Sequence, residues 1–368
     1  SPKSRLGISP QPFLRTVNVL WGHVDLSTLD YMDFTDEEIT KLCLQPGDLL
    51  VCEGGEIGRT AMWRGEIKVC GYQNHIHRLR KQRQDIWPEF YMYWLQAAFL
   101  ILGLYAGEEI RTTIPNLSRG RLKSFQVPKP PLEEQQKIAS VLSTIQRAIE
   151  QQDKIIEATR KLKKSLMQKL FTEGIGHTEF EETEIGEIPR EWKVVRLEDV
   201  VDRKRNNINP VNYPDEVFEY YSIPAYHGNQ QPVMEVGKNI RSQKFLVKEG
   251  TVLFAKLNPR VPKAWLVKSN TNKRKIASTE FIPLYPKEDR VKDLFLFYLC
   301  WSDHVLPKSQ GLVSGSTPSR QRVDINAFFK IQIPLPPLPE QQQIAHILST
   351  VDKKIEIEER RKERELDG

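Results

Sequence analysis

Apolar residues recur at heptad spacing through the middle of this 368-residue chain. One row is Ile138, Ile145, Gln152, Thr159 and Leu166. The next is Val141, Ala148, Ile155 and Leu162, and a third is Leu142, Ile149 and Ile156. A stripe of period near 3.5 predicts one long helix, over 134–170, packed against another helix. Polar Gln152 and Thr159 interrupt the seam and are expected to fix its register. The far side is rich in Lys and Glu, a solvated face. Prolines launch the helix, because proline is tolerated ahead of a helix and not inside it.

The opening of this helix recurs. PPLEEQQKIASVLST begins at Pro130 and PPLPEQQQIAHILST at Pro336, with nine identities in fourteen positions between 132–145 and 338–351. A repeat offset of 206 residues marks a duplicated domain plus helix, not a solenoid unit. The second stripe is Ile344, Ile347, Leu348, Val351 and Ile355, and it fades after Ile357.

What precedes each helix follows one plan. In the first half, strands are expected at 48–52 and 69–80, an apolar helix at 87–105, a polar loop at 107–120 and a strand at 125–127. In the second half, strands are expected at 192–200, 251–256, 263–268, 276–285 and 330–333, with an apolar helix at 291–304 and a polar loop at 314–322. Gly47-Asp48-Leu49-Leu50 corresponds to Gly250-Thr251-Val252-Leu253. One asymmetry stands out. The second half opens on the Trp-led run WKVVRLEDV from Trp192, and the first has nothing like it. Either the natural start is missing, or another segment completes the first domain.

Composition adds less. The net charge of +6 suggests an anionic partner without locating it. Cys43, Cys52, Cys70 and Cys300 have no CxxC spacing and read as free thiols of a reducing cytosol. His75 and His77 lack further ligands, so neither a metal nor a cofactor is expected. The apolar run at 90–107 is almost long enough to span a bilayer, but its counterpart at 294–306 carries Asp303 and His304. A buried helix, a cytoplasmic protein and no membrane partner are expected.

The paired PPLxEQxxI openings, the linker KLFTEGIGHTEFEETEIGEIPREWKVVRL and the two divergent domains resemble the specificity (S) subunits of type I restriction–modification systems. The resemblance covers nearly the whole chain. It implies an α/β (α+β) protein with two similar target-recognition domains separated by two long antiparallel helices in a pseudo-twofold repeat. The expected parts are a first recognition domain at 1–129, a central helix at 130–174, a linker at 175–190, a second recognition domain at 191–335 and a final helix at 336–368. The resemblance further implies that each domain reads half of a split site in double-stranded DNA. It implies that the helices dock two methyltransferase subunits, and that restriction subunits join in the full complex. It implies no catalysis by the chain.

DNA readers need donors and acceptors for base edges and cations for phosphates. In the first half the candidates are Arg59, Arg64, Arg78, Arg80, Arg111, Thr112, Thr113, Asn116, Arg119 and Arg121. In the second they are Arg203, Lys204, Arg205, Lys256, Asn258, Arg260, Lys263, Lys273, Arg274, Ser316, Thr317, Ser319, Arg320, Gln321 and Arg322. The loops before each proline run are the strongest, because they recur in place and differ in residues. For helix packing the candidates are Ile138, Val141, Leu142, Ile145, Ile149 and Ile155, against Ile344, Ile347, Leu348, Val351 and Ile355. Enzyme readings lack their motifs. Gly54-Gly55-Glu56-Ile57-Gly58 precedes no helix and makes a poor phosphate cradle. Asn258-Pro259-Arg260 is not a methyltransferase motif. An interaction scaffold whose coiled coil is its function remains open.

Overall fold

The computed structural model describes residues 10–103, 116–203, 206–228, 230–268, 271–314 and 321–367. The chain divides into two compact units, Ser1–Glu150 and Gln151–Gly368. The first contains β1 (Gln11–Leu14), β2 (Asp30–Met32), α1 (Asp36–Leu42), β3 (Leu49–Cys52), β4 (Thr60–Met62), β5 (Gly71–Tyr72), β6 (Ile76–Leu79), α2 (Pro88–Leu100) and α3 (Arg119–Ser124). It also holds the start of α4 (Leu132–Thr172), a 41-residue helix that continues into the second unit. The sheets run β2-β1-β5 and β4-β3-β6.

In the second unit, the linker hairpin β7 (Phe180–Thr183) and β8 (Gly186–Pro189) leads to β9 (Lys193–Arg196), α5 (Leu197–Val200), β10 (Val201–Asp202) and β11 (Asn207–Ile208). Then come β12 (Val217–Tyr221), α6 (Ile223–Gly228), β13 (Val233–Val236), β14 (Lys244–Val247), β15 (Val252–Ala255), β16 (Ala264–Leu266), β17 (Lys275–Ala277) and β18 (Phe281–Pro286). The unit closes with α7 (Asp293–Leu299), α8 (Leu306–Gly311), β19 (Val313–Ser314), β20 (Arg322–Val323), α9 (Ile325–Phe329), β21 (Gln332–Leu335) and α10 (Leu338–Asp367). Its larger sheets run β11-β14-β17-β12-β13 and β10-β18-β15-β16, while β21 pairs with β9.

The duplicated plan is visible in register. Leu49 pairs with Leu79 and Cys52 with Ile76 in the first unit. Val252 pairs with Leu284 and Ala255 with Phe281 in the second. Likewise β1 lies antiparallel to β2 and parallel to β5, as β12 does to β13 and β17.

Several expected strands divide, because their ends serve different sheets. The run 69–80 breaks into β5, on β1, and β6, on β3, around a turn in which Ile76 N–H donates to the Gln73 carbonyl. The run 276–285 breaks likewise at Ser278 into β17 and β18. After four strand residues 192–200 turns helical, with the Asp199 carboxylate accepting from Arg196 N–H. The apolar helices are shorter than expected: α2 stops at Leu100, with Tyr105 outside the described residues, and α7 stops at Leu299. Residues 125–127 are not a strand. Their counterpart β21 is held by β9, and the described residues of the first unit offer no equivalent partner. An isolated strand leaves its backbone groups unpaired.

Each long helix is anchored by the same glutamine of the repeat. Gln135 Oε1 accepts from the Trp87 N–H, and its Nε2 donates to the carbonyls of Asp85 and Pro130. Gln341 Oε1 accepts from the Lys292 N–H, and its Nε2 donates to Arg290 and Pro336. Both side chains are fully buried. Trp87 and Lys292 are the capping residues of α2 and α7, so each amide ties its long helix to the start of the domain's apolar helix.

Within the second unit α4 and α10 run antiparallel: Asp153 meets Lys362, and Lys163 meets Asp352. Between them Gln152 Nε2 donates to the Glu358 carbonyl at 2.9 Å and to its carboxylate at 2.6 Å. These residues are 206 positions apart, the repeat offset itself, so equivalent positions of the two copies meet at the crossing. Lys354 and Gln152 hold the Glu358 carboxyl below its ordinary range. The C-terminal part of α4 packs on the second domain: Leu170 and Phe171 are buried there, with Leu166 and Met167 beside them. Although its apolar stripe fades, α10 remains helical to Asp367.

The stripe itself is less buried than its spacing suggests. Ile344 and Leu348 are buried and Ile347 packs beside them, while Val351, Ile355 and Ile149 are half-buried. Ile138 packs against the first domain's core. Val141, Leu142, Ile145 and Ile155 are exposed, and the helix turns Gln135, Ala139, Gln152 and Ile156 inward instead. No helix among the described residues is long and apolar enough to cross a membrane.

Two tests follow from this packing. Gln341→Ala leaves one N–H and two carbonyls without their partner, at about 1–3 kcal/mol for each group left buried and unpaired; urea unfolding of the full chain measures the loss. The second concerns His304, which is buried against the Phe171 carbonyl at 2.9 Å, and burial pushes its pKa down. The unfolded chain then takes up a proton first as pH falls. The stability it contributes is complete above the ordinary histidine value, about 6.5, and is lost as pH drops from there through the folded value. His304→Gln should flatten the unfolding midpoint between pH 7 and pH 5.

Candidate nucleic-acid interface

In each half the turn that follows the central strand is bonded to the described end of the loop before the prolines. In the second domain the turn after β15 meets the loop before β20: Val323 N–H donates to the Lys256 carbonyl, and Asn258 N–H to the Gln321 carbonyl. In the first domain the turn after β3 is held in the same way, by Leu117 N–H on the Glu53 carbonyl. The framework bond recurs, while the side chains around it differ.

In the second domain this brings together Lys256, Asn258, Arg260, Gln321 and Arg322. Asn258 takes a positive φ of 52°, a left-handed conformation that asparagine tolerates better than most residues. Gln310 Nε2 braces the turn through the Pro259 carbonyl. Arg260 is exposed. Arg322 is held by both Glu280 carboxylate oxygens, at 3.1 and 3.2 Å, with half its side chain exposed. Arg203 joins from the side, its guanidinium 4.3 Å from the Phe329 ring centre, and with Lys256 lines a cleft of about 260 Å³.

Other candidates serve the fold. Lys263 is buried, and its Nζ donates to the Val261 carbonyl at 2.8 Å; burial pushes its pKa down. Arg274 grips Glu216 with two nitrogens and stacks on Tyr213, 4.2 Å from the ring centre. Lys273 is exposed beside it, at the end of β17 away from Glu280.

In the first domain, Arg59 donates to the Thr16 carbonyl and pairs with Glu56. Arg80 pairs with buried Asp48, Arg78 donates to the Lys41 carbonyl and Arg64 pairs with Glu89. Antiparallel pairing puts Arg78 and Arg80 toward the start of β3, away from the turn after Cys52. Asn116 and Arg119 are exposed beside that turn's anchor, and Arg121 is half-buried on α3. Arg111, Thr112, Thr113, Lys204, Arg205, Ser316, Thr317, Ser319 and Arg320 lie outside the described residues.

Sequence reasoning passed over the acids of these turns. Glu53 faces His75 at 3.3 Å, and Glu56 accepts from the Trp21 indole at 2.7 Å. A search for cations alone misses them, although carboxylates can accept from base amino groups. Among the described residues, no group of His, Cys, Asp and Glu could hold a metal ion. Burial pushes the thiols of Cys70 and Cys300 up to about 12, the wrong direction for a nucleophile.

The family model described as the type I restriction modification DNA specificity domain matches residues 25–160 and 189–366. The chain belongs to this family. The two matches repeat the duplication seen in sequence and register, and their arrangement is that of a type I specificity subunit. Among relatives, the type I restriction enzyme MjaVIII specificity subunit of Methanocaldococcus jannaschii is 29% identical over 77% of this chain and 68% of its own length. The MjaX specificity subunit of the same organism is 28% identical over 96% of this chain and 83% of its own. The S subunit of the type I system of M. genitalium shares the fold, with a TM-score of 0.57 at 14% identity over 97% of this chain and 85% of that one.

In this specificity subunit, Arg260→Ala should weaken binding to DNA and reduce the slope of log affinity against log salt by about 1, if Arg260 meets a phosphate. Lys263→Met should leave that slope unchanged, because the ammonium is already committed inside the fold. Fluorescence anisotropy over a salt series distinguishes the two.

Proposed function

We propose that the chain is the DNA-reading, non-catalytic subunit of a type I restriction–modification complex. Its recognition domains, at 1–129 and 191–335, each read one half of a bipartite asymmetric site in double-stranded DNA. Lys256, Asn258, Arg260, Gln321, Arg322 and Arg203 form the reading surface of the second domain, and the turn at 53–58 with Asn116 and Arg119 that of the first. The single observation that carries this reading is the loop-to-loop bond repeated in both halves, Leu117 to Glu53 and Val323 to Lys256, framing side chains that differ between them. Two readers of unlike half-sites need a common scaffold and unlike tips.

The helices act as spacer and as dock for two methyltransferase subunits, with restriction subunits joining the full complex. A helical spacer resists compression, so its length is transmitted to the DNA. Four residues inserted after Glu150 keep the Gln152–Glu358 pairing, extend the helix by about 6 Å and rotate its end by about 40°. Methylome sequencing of cells carrying the chain with its methyltransferase reads both half-sites and the gap between them. The wild type should yield a split motif and the insertion a longer gap with unchanged half-sites. An unsplit motif would overturn the two-reader proposal; an unchanged gap would overturn the ruler.

A further inference from the structure

The turns that carry the loop-to-loop bonds have a further neighbour in each domain. In the first, the Glu53 N–H donates to the His75 carbonyl at 2.9 Å, while the Glu53 carbonyl accepts from the Leu117 N–H at 2.8 Å. In the second, the Lys256 N–H donates to the Glu280 carbonyl at 3.0 Å, while the Lys256 carbonyl accepts from the Val323 N–H at 2.9 Å. Strand pairing fixes the equivalence, since Cys52 pairs with Ile76 as Ala255 pairs with Phe281. His75 and Glu280 are therefore one position of the duplicated plan. Glu53 and Lys256 are a second, and Asn116 and Arg322, each just before the bonded residue, are a third.

The side chains at these positions pair differently. In the first domain the position shared by His75 and Glu280 reaches Glu53: the His75 Nδ1 lies 3.3 Å from a carboxylate oxygen. In the second it reaches Arg322: the Glu280 carboxylate accepts from Nε at 3.2 Å and from one terminal nitrogen at 3.1 Å. The backbone bonds are the same in both domains, so they require neither pair. Exposed ion pairs of this kind add little stability. What each pair does is aim one side chain, and each aimed side chain keeps the groups that a base needs. Arg322 spends its Nε and one N–H of a terminal nitrogen on Glu280. Its remaining terminal N–H groups form the fork that matches guanine O6 and N7. Glu53, held through one oxygen, keeps a second to accept from the amino group of cytosine.

Resting on the DNA-reading function proposed above, we infer that Glu53 and Arg322 determine specificity at one base pair each. Glu53 reads a cytosine amino group in one half-site and Arg322 reads a guanine in the other. His75 and Glu280 are positioning residues that hold the two readers. One framework thus presents an acceptor in the first domain and a donor in the second, according to which neighbour the shared position grips. A carboxylate at a DNA surface is repelled by phosphates, so Glu53 suits only a base edge that donates. The neighbouring cations of the first domain do not take that place, because Arg59, Arg78 and Arg80 are bonded within the fold.

The test is methylome sequencing of cells carrying the full chain, or a variant of it, with its methyltransferase. Arg322→Ala should make one C·G pair of a single half-site degenerate, cutting the preference there by about tenfold or more. Glu53→Ala should do the same at one C·G pair of the other half-site. Glu280→Ala and His75→Ala should loosen the same pair as their partners and no other. Adding Glu280→Ala to Arg322→Ala should loosen nothing further, because the two act as a unit. A split motif unchanged by Arg322→Ala or by Glu53→Ala would overturn the inference and leave the two-reader proposal standing. Degeneracy at an A·T pair, or at several pairs at once, would also overturn it. Arg322→Lys and Glu53→Gln keep the side-chain size and should loosen the same two pairs. Loss of all methylation in these as well as in the alanine variants would overturn it too, since the residues would then serve the fold or overall affinity. An unsplit wild-type motif would overturn the two-reader proposal, and this inference with it.

Discussion

The amide of one glutamine, used twice, organises this molecule. Gln135 and Gln341 each spend one acceptor and two donors on backbone groups at two places: the cap of the domain's apolar helix and the proline run that launches the long helix. Fully buried, such an amide tolerates few orientations, because each unmet group carries a desolvation cost. The long helix therefore leaves its domain at a fixed angle. An apolar residue there would hold the two elements together without defining that angle.

The same logic operates where the helices cross. Gln152 and Glu358 are copies of one position, and they bond to each other. A buried polar pair in a helical seam is weak evidence for added stability. It is a strong device for register, since a shifted crossing would take the Gln152 amide away from the Glu358 carbonyl and carboxylate that accept from it. The spacer role proposed for the helices needs a defined register more than it needs tight packing. The exposed apolar residues Val141, Leu142 and Ile145 fit that priority, because the crossing is specified without them.

The proposed recognition surfaces divide labour differently. Framework bonds between the two loops are backbone to backbone and so are indifferent to side-chain identity, which leaves the tips free to differ. Many of the basic residues picked out in sequence are not tips. Arg59, Arg80, Arg274 and Lys263 have their charge or their donors committed within the fold.

The sequence alone determined the family, the duplication, the long helix and the importance of Gln152, because each rests on periodicity or on residues repeated at a constant offset. It also exposed a difference in pattern between the halves, the Trp-led run from Trp192 that opens the second. Tertiary structure alone decided which cations face outward. A charged side chain on a short strand or turn looks the same in sequence whether it meets solvent or a buried carboxylate such as Asp48 across the sheet. It also decided where strands break: β17 and β18 form one apolar run until their ends join different sheets. Whether 125–127 becomes a strand was decided there too. Strand propensity is local, but the hydrogen bonds that make a strand come from a partner elsewhere in the chain or outside it.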